Sequence, residues 1–182
     1  MPTYPSPSSV PGPGLNLIES QVLGVAAASV TFSAIPQTYK SLVIKGTARG
    51  DAVALAVALG IKINGVALSG ANYQYSNWGP GGYWTGGGKS ISGSGYNVWN
   101  LTTATAPADV WTQFTGEIVG YASTSHQKTF EGRTTDFRDP GTLWPIISSM
   151  IYHSNDAVTS IVIEPSSGSI IAGSQFDLYG VS

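Results

Sequence analysis

Seven of the chain's fourteen tryptophan and tyrosine residues fall between Asn72 and Asn100, in NYQYSNWGPGGYWTGGGKSISGSGYNVWN. Flat side chains at this density suit two kinds of chemistry. Trp78, Tyr83, Trp84, Tyr96 and Trp99 could stack on sugar rings as an aromatic platform. They could also pin a glycine-rich segment to its own domain or to a neighbouring subunit by burying area, a role in which Trp and Tyr are enriched. The second use is the commoner one, so these aromatics are expected to hold protein to protein.

The other reactive residues form weaker patterns. Gly86-Gly-Gly-Lys-Ser90 suggests a phosphate loop, but Tyr83 stands where the motif needs its first glycine. Ile91-Ser-Gly-Ser-Gly95 is also a poor start for the helix that should follow. No serine lies in a Gly-x-Ser-x-Gly elbow. His126 and His153 lack metal-ligand spacing and are expected at strand ends or on the surface. Glu131-Gly-Arg-Thr-Thr-Asp-Phe-Arg-Asp139 gathers five charges. Asp136 and Asp139 there offer the oxygen ligands that calcium takes, yet Arg133 and Arg138 balance them, and a salt-bridged loop is the expected form. Glu117 and Glu131 could make a glycosidase carboxylate pair, but nothing in the sequence sets their separation. No catalytic residue, metal or cofactor is expected, and the chain is not expected to be an enzyme.

The scaffold for these residues is bounded by composition. At 182 residues the chain is expected to form one domain with a sizeable core. Charged residues are 10%, against roughly 25% in an average soluble protein, so Ser, Thr, Gly, Asn and Gln must make most of the surface. The net charge is −2 and the eight Lys and Arg are scattered. Such a chain lacks the basic stripe that nucleic acid needs, and none is expected as partner. With no cysteine, disulfides and thiolate zinc sites are excluded. No apolar run approaches the roughly 20 residues of a membrane helix. The opening MPTYPSPSSVPGPG shows neither a basic nor an apolar signal region, so no signal peptide is expected.

Residues 1–14 hold five prolines and favour extended polyproline geometry. They are expected to act as an arm packed on a surface, with Tyr4 and Val10 as its apolar anchors. From residue 15 to 182 the pattern is that of a single β domain. In Val53-Ala-Leu-Ala-Val-Ala-Leu-Gly-Ile-Lys-Ile63 the bulky residues occupy every odd position, which aligns them on one face of a strand and scatters them around a helix. Asn64-Gly65 follows as a hairpin-turn dipeptide. Further strands are expected over Leu15–Leu23, Ser29–Phe32, Leu42–Ala48, Asn72–Asn77, Thr112–Val119, Lys128–Arg133, Ile146–Tyr152, Ser160–Glu164 and Gln175–Tyr179. Val, Ile, Thr and aromatics fill them, and turn residues separate them. The expected fold is all-β, an antiparallel two-sheet sandwich with jelly-roll topology, the aromatic stretch serving as a long connection.

Three stretches carry a resemblance: LIESQVLGVAAASVTFSAIPQTYKSLVIKGTAR (Leu17 to Arg49), INGVALSGANYQYS (Ile63 to Ser76) and VTSIVIEPSSGSIIAGSQFDLYGVS (Val158 to Ser182). Together they resemble structural proteins of tailed bacteriophages, a group of small β-sandwich proteins among capsid decoration and tail-fibre components. The three stretches cover 72 of the 182 residues and leave out most of the aromatic stretch. It implies a virion protein, made in the host cytoplasm, that decorates or cements a capsid, with a trimer as the expected oligomer and capsid or tail proteins as partners. The alternative is a receptor- or glycan-binding tail-fibre module on the same sandwich.

Overall fold

The computed structural model describes residues 14–67, 72–79, 82–86, 98–139 and 142–182. Its strands are β1 (Leu15–Val22), β2 (Val30–Phe32), β3 (Ser41–Ala48), β4 (Ala56–Ile63), β5 (Tyr73–Gly79), β6 (Gly82–Gly86), β7 (Trp99–Thr102), β8 (Thr112–Val119), β9 (Lys128–Asp139), β10 (Thr142–Tyr152), β11 (Ile161–Pro165) and β12 (Gln175–Val181). Eight form one sheet in the order β1-β12-β3-β8-β9-β10-β5-β6, and four form the second in the order β2-β11-β4-β7. Every pairing is antiparallel. The two sheets pack face to face over a shared core, so the fold is the expected antiparallel sandwich. Its strands divide eight and four.

Alternation places the core. Leu42 and Ile44 of β3, Ile118 of β8, Phe130 of β9, Met150 of β10 and Phe176 and Leu178 of β12 are all buried. Opposite them, Leu59, Ile61 and Ile63 of β4 and Ile161 and Ile163 of β11 fill the inner face of the small sheet. Inner-face glycines make room for rings. A Cβ on Gly132 would lie 2.7 Å from the Phe130 ring and 2.9 Å from Trp99 Nε1, and one on Gly116 would meet the same two rings. Gly116 and Gly132 are cross-strand partners. Together they form a bare slot in the sheet that Trp99 and Phe130 occupy.

β7 is the joint between the sheets. One edge pairs with β4, and hydroxyls of the large sheet serve the backbone of the other. Thr112 Oγ1 accepts from Thr102 N at 2.7 Å, Thr134 Oγ1 donates to Asn100 O at 3.4 Å, and Ser148 Oγ donates to Val98 O at 2.5 Å. This accounts for buried Thr112, Thr134 and Ser148 on an otherwise apolar face, since buried backbone groups need partners.

Several expected boundaries shift. β4 starts at Ala56, not Val53: Val53 is 91% exposed and Leu55 is exposed too. Residues 51–55 bend instead, because their backbone groups bond to a neighbouring turn: Thr103 N donates to Leu55 O, Ala104 N to Ala52 O and Thr105 N to Ala54 O, each at 3.1 Å. Asn64 and Gly65 do take positive φ, 52° and 69°, but the chain then crosses to the other sheet, so they turn without making a hairpin. The aromatic stretch is not one long connection either. β5 and β6 form a hairpin at the end of the large sheet, and Trp99 begins β7.

Candidate functional site

The outer face of the large sheet collects most of the polar chemistry. Register aligns its outward residues in rows across the strands. One row runs Leu17, Tyr179, Val43, Glu117, Glu131, Ser149 and Ser76. The next runs Asp177, Lys45, Thr115, Arg133 and Ile147, ending at the backbone of Trp78 and Tyr83. Between these rows lies a shallow depression of about 350 Å³, floored by Gly116 and Gly132 and walled by Glu117, Glu131, Arg133 and Ile147. A second depression lies beyond Arg133, lined by Gln113, Thr115 and Thr135.

Glu117 and Glu131 stand directly opposite each other. Directly opposed side chains have Cβ atoms about 4.5–5.5 Å apart, and like charges in that position are destabilising. Ser41 Oγ donates to Glu117 Oε1 at 2.6 Å. Lys45 Nζ sits 5.7 Å from the centroid of the Tyr179 ring, while Asp177 accepts from Ser20 Oγ and Gln175 Nε2. Among the described residues the one ion pair is Lys62–Glu164, at 2.5 Å on the opposite sheet; Glu131 and Arg133 are in none. A retaining glycosidase sets two such carboxyl groups on either side of the scissile bond. That chemistry also needs one carboxyl shielded from water to act as acid, whereas both glutamates stand exposed on an open face.

Trp99 is corrected from a binding residue to a core residue. Its indole is fully buried, packs on Phe114 and Phe130 at ring-centroid distances of 4.6 and 5.3 Å, and donates from Nε1 to Thr115 O at 2.9 Å. It cannot stack on a ligand. Trp78 lies in β5 opposite Ile147 on one side and Tyr83 on the other, and Trp84 pairs with Asn77; their side chains lie outside the described set. Tyr4, Val10 and Tyr96 lie outside the described residues altogether.

The charged segment Glu131–Asp139 is strand, not loop: all of it belongs to β9. Asp136 and Asp139 pair by backbone with Trp144 and Thr142, and their side chains lie outside the described set. Among the described residues no cluster of three metal-ligating side chains occurs. His126 and His153 are exposed, and the Nδ1 of each lies within hydrogen-bond distance of a polar side chain, Ser123 and Gln127 respectively.

Two buried cations went unnoticed in the sequence. The Arg49 guanidinium donates to four carbonyls of one loop, those of Thr103, Ala106, Pro107 and Val110, at 2.6–3.0 Å. Lys128 Nζ donates to Ser123 O, His126 O and Asn155 O at 2.5, 2.7 and 3.2 Å. Burial pushes this ammonium below the ordinary lysine value, and Asp156 opposes the shift. Burial also pushes the Tyr121 phenol up; its hydroxyl donates to Pro36 O. These groups stitch loops to the sandwich and do not face the depression.

Comparison with family models, curated proteins and solved structures finds no match to this chain.

Proposed function

We propose that this chain is a non-enzymatic structural protein of a phage particle that decorates or cements the capsid as a symmetric oligomer. The observation that carries the reading is the outer face of the eight-stranded sheet. Leu17, Val119, Ile147 and Ile151 stand exposed on it among serines and threonines. Aliphatic side chains exposed among hydroxyl ones along one sheet face suit a contact with protein. The three stretches that resemble phage structural proteins support the same reading, and they include β1, β3, β11 and β12 of the sandwich. Adding purified protein to empty shells tests it. Saturable co-sedimentation is expected, and its absence across salt conditions would count against a capsid role.

The glycan-binding tail module is favoured by one observation: the depression offers Glu117, Glu131, Arg133 and Ser149 as hydrogen-bonding groups. A glycan array distinguishes the two readings. The decoration reading expects no reproducible ligand.

A further inference from the structure

We propose that the outer face of the eight-stranded sheet is the contact between two copies of this chain, packed face to face about a twofold axis running along the depression. The inference rests on the reading that this face meets protein, and it names the partner.

Charge selects both partner and axis. A rotation about an axis lying along the depression, perpendicular to the strands, sets each strand over its own copy and exchanges the rows on either side. Glu131 then faces Arg133 of the second copy, and by symmetry the contact occurs twice, as an isologous interface requires. Lys45 of the second copy comes over Val43, diagonal to Glu117, and Ile147 comes over Ser149. In the outer rows, Ile151 meets Pro145 and Thr129 meets Thr135. An axis parallel to the strands would instead set glutamates on glutamates. The opposed carboxylates Glu117 and Glu131, like charges directly across from each other, each gain a further counter-charge in the pair.

The size is adequate. Five strands at about 4.8 Å and four side-chain rows at about 6.8 Å give roughly 600 Å² in projection. A standard interface takes about 800 Å² of accessible surface from each partner. Two twisted sheets related this way stack in the aligned manner of sandwich sheets.

Charge reversal tests the contact by sedimentation equilibrium. The wild-type mass is expected to be an even multiple of the 18.9 kDa chain, including six copies if a trimer forms through another surface. Glu131→Arg and Arg133→Glu should each weaken the pairing about tenfold or more, and the double variant should restore it. Both positions are exposed, so folding should survive; if a reversal misfolds, Glu131→Gln and Arg133→Gln replace it. A monomeric or trimeric wild type, or a pair indifferent to both single changes, overturns the proposal. So does a saccharide bound by a monomeric chain and lost in Glu131→Gln. Pairing with the expected swap pattern but no shell binding would defeat the virion reading alone. Shell binding by unpaired chains would defeat this proposal alone.

Discussion

Trp99 shows how far a residue's type outruns its neighbourhood. Its indole occupies the Gly116–Gly132 slot, so Trp99→Ala should lower stability by about 3–5 kcal/mol by cavity formation. Gly132→Ala should cost about 1–3 kcal/mol, because the new methyl has no space beneath the rings. Chemical denaturation measures both. That Trp99 was an anchor was legible in its type; that it anchors the core was not, because the glycines receiving it lie 17 and 33 positions away and only the fold brings them together. Tyr121 yields a pH-dependent prediction. Its phenol titrates higher in the folded chain than its ordinary 10.0, so the unfolded chain loses the proton first. Its contribution is intact below pH 10.0 and is lost as pH rises through the folded value. Tyr121→Phe should cost about 0.5–1.5 kcal/mol at neutral pH for the lost hydrogen bond, and that deficit should shrink above pH 10.0. Lys128 titrates nearby with opposite sign, so the difference between the two proteins is the quantity to measure.

At the scale of elements, strand existence was legible and strand partners were not. Content of Val, Ile, Thr and aromatics between turn residues identified β3, β8 and β12 to within two residues at each end, while alternation identified β4 but began it three residues early. Neither gave a register. The opposition of Glu117 and Glu131, and with it the candidate site, became visible only once β8 and β9 were paired. Arg49 was hidden for a related reason: its partners are carbonyls, which leave no trace in residue types. Arg49→Met should unsatisfy the 103–110 loop, lower stability by about 1–3 kcal/mol and speed amide exchange at Thr103, Ala104 and Thr105, whose N–H groups bond to the 52–55 bend. Unchanged exchange there would show that the guanidinium is not the loop's fastener. Removing residues 1–13 should leave the sandwich folded, because Gly14 O already pairs with Ser182 N beside β1. If those residues are a docking arm, the truncated chain binds shells more weakly; equal occupancy would show that they are a tail.

For the whole molecule, the sandwich explains why so few charges suffice. Each sheet turns one face to the core, the eight-stranded sheet turns its other face outward with mixed aliphatic and hydroxyl side chains, and charges across its strands sit in two rows, Glu117 and Glu131 in one and Asp177, Lys45 and Arg133 in the other. The claim that the protein belongs to a particle is tested most directly by locating the chain in intact virions with a labelled antibody under the electron microscope. The account predicts regular label over the head shell, in multiple copies, retained after washing in high salt. Label confined to the tail tip, or purified particles that contain none of the chain, would contradict it.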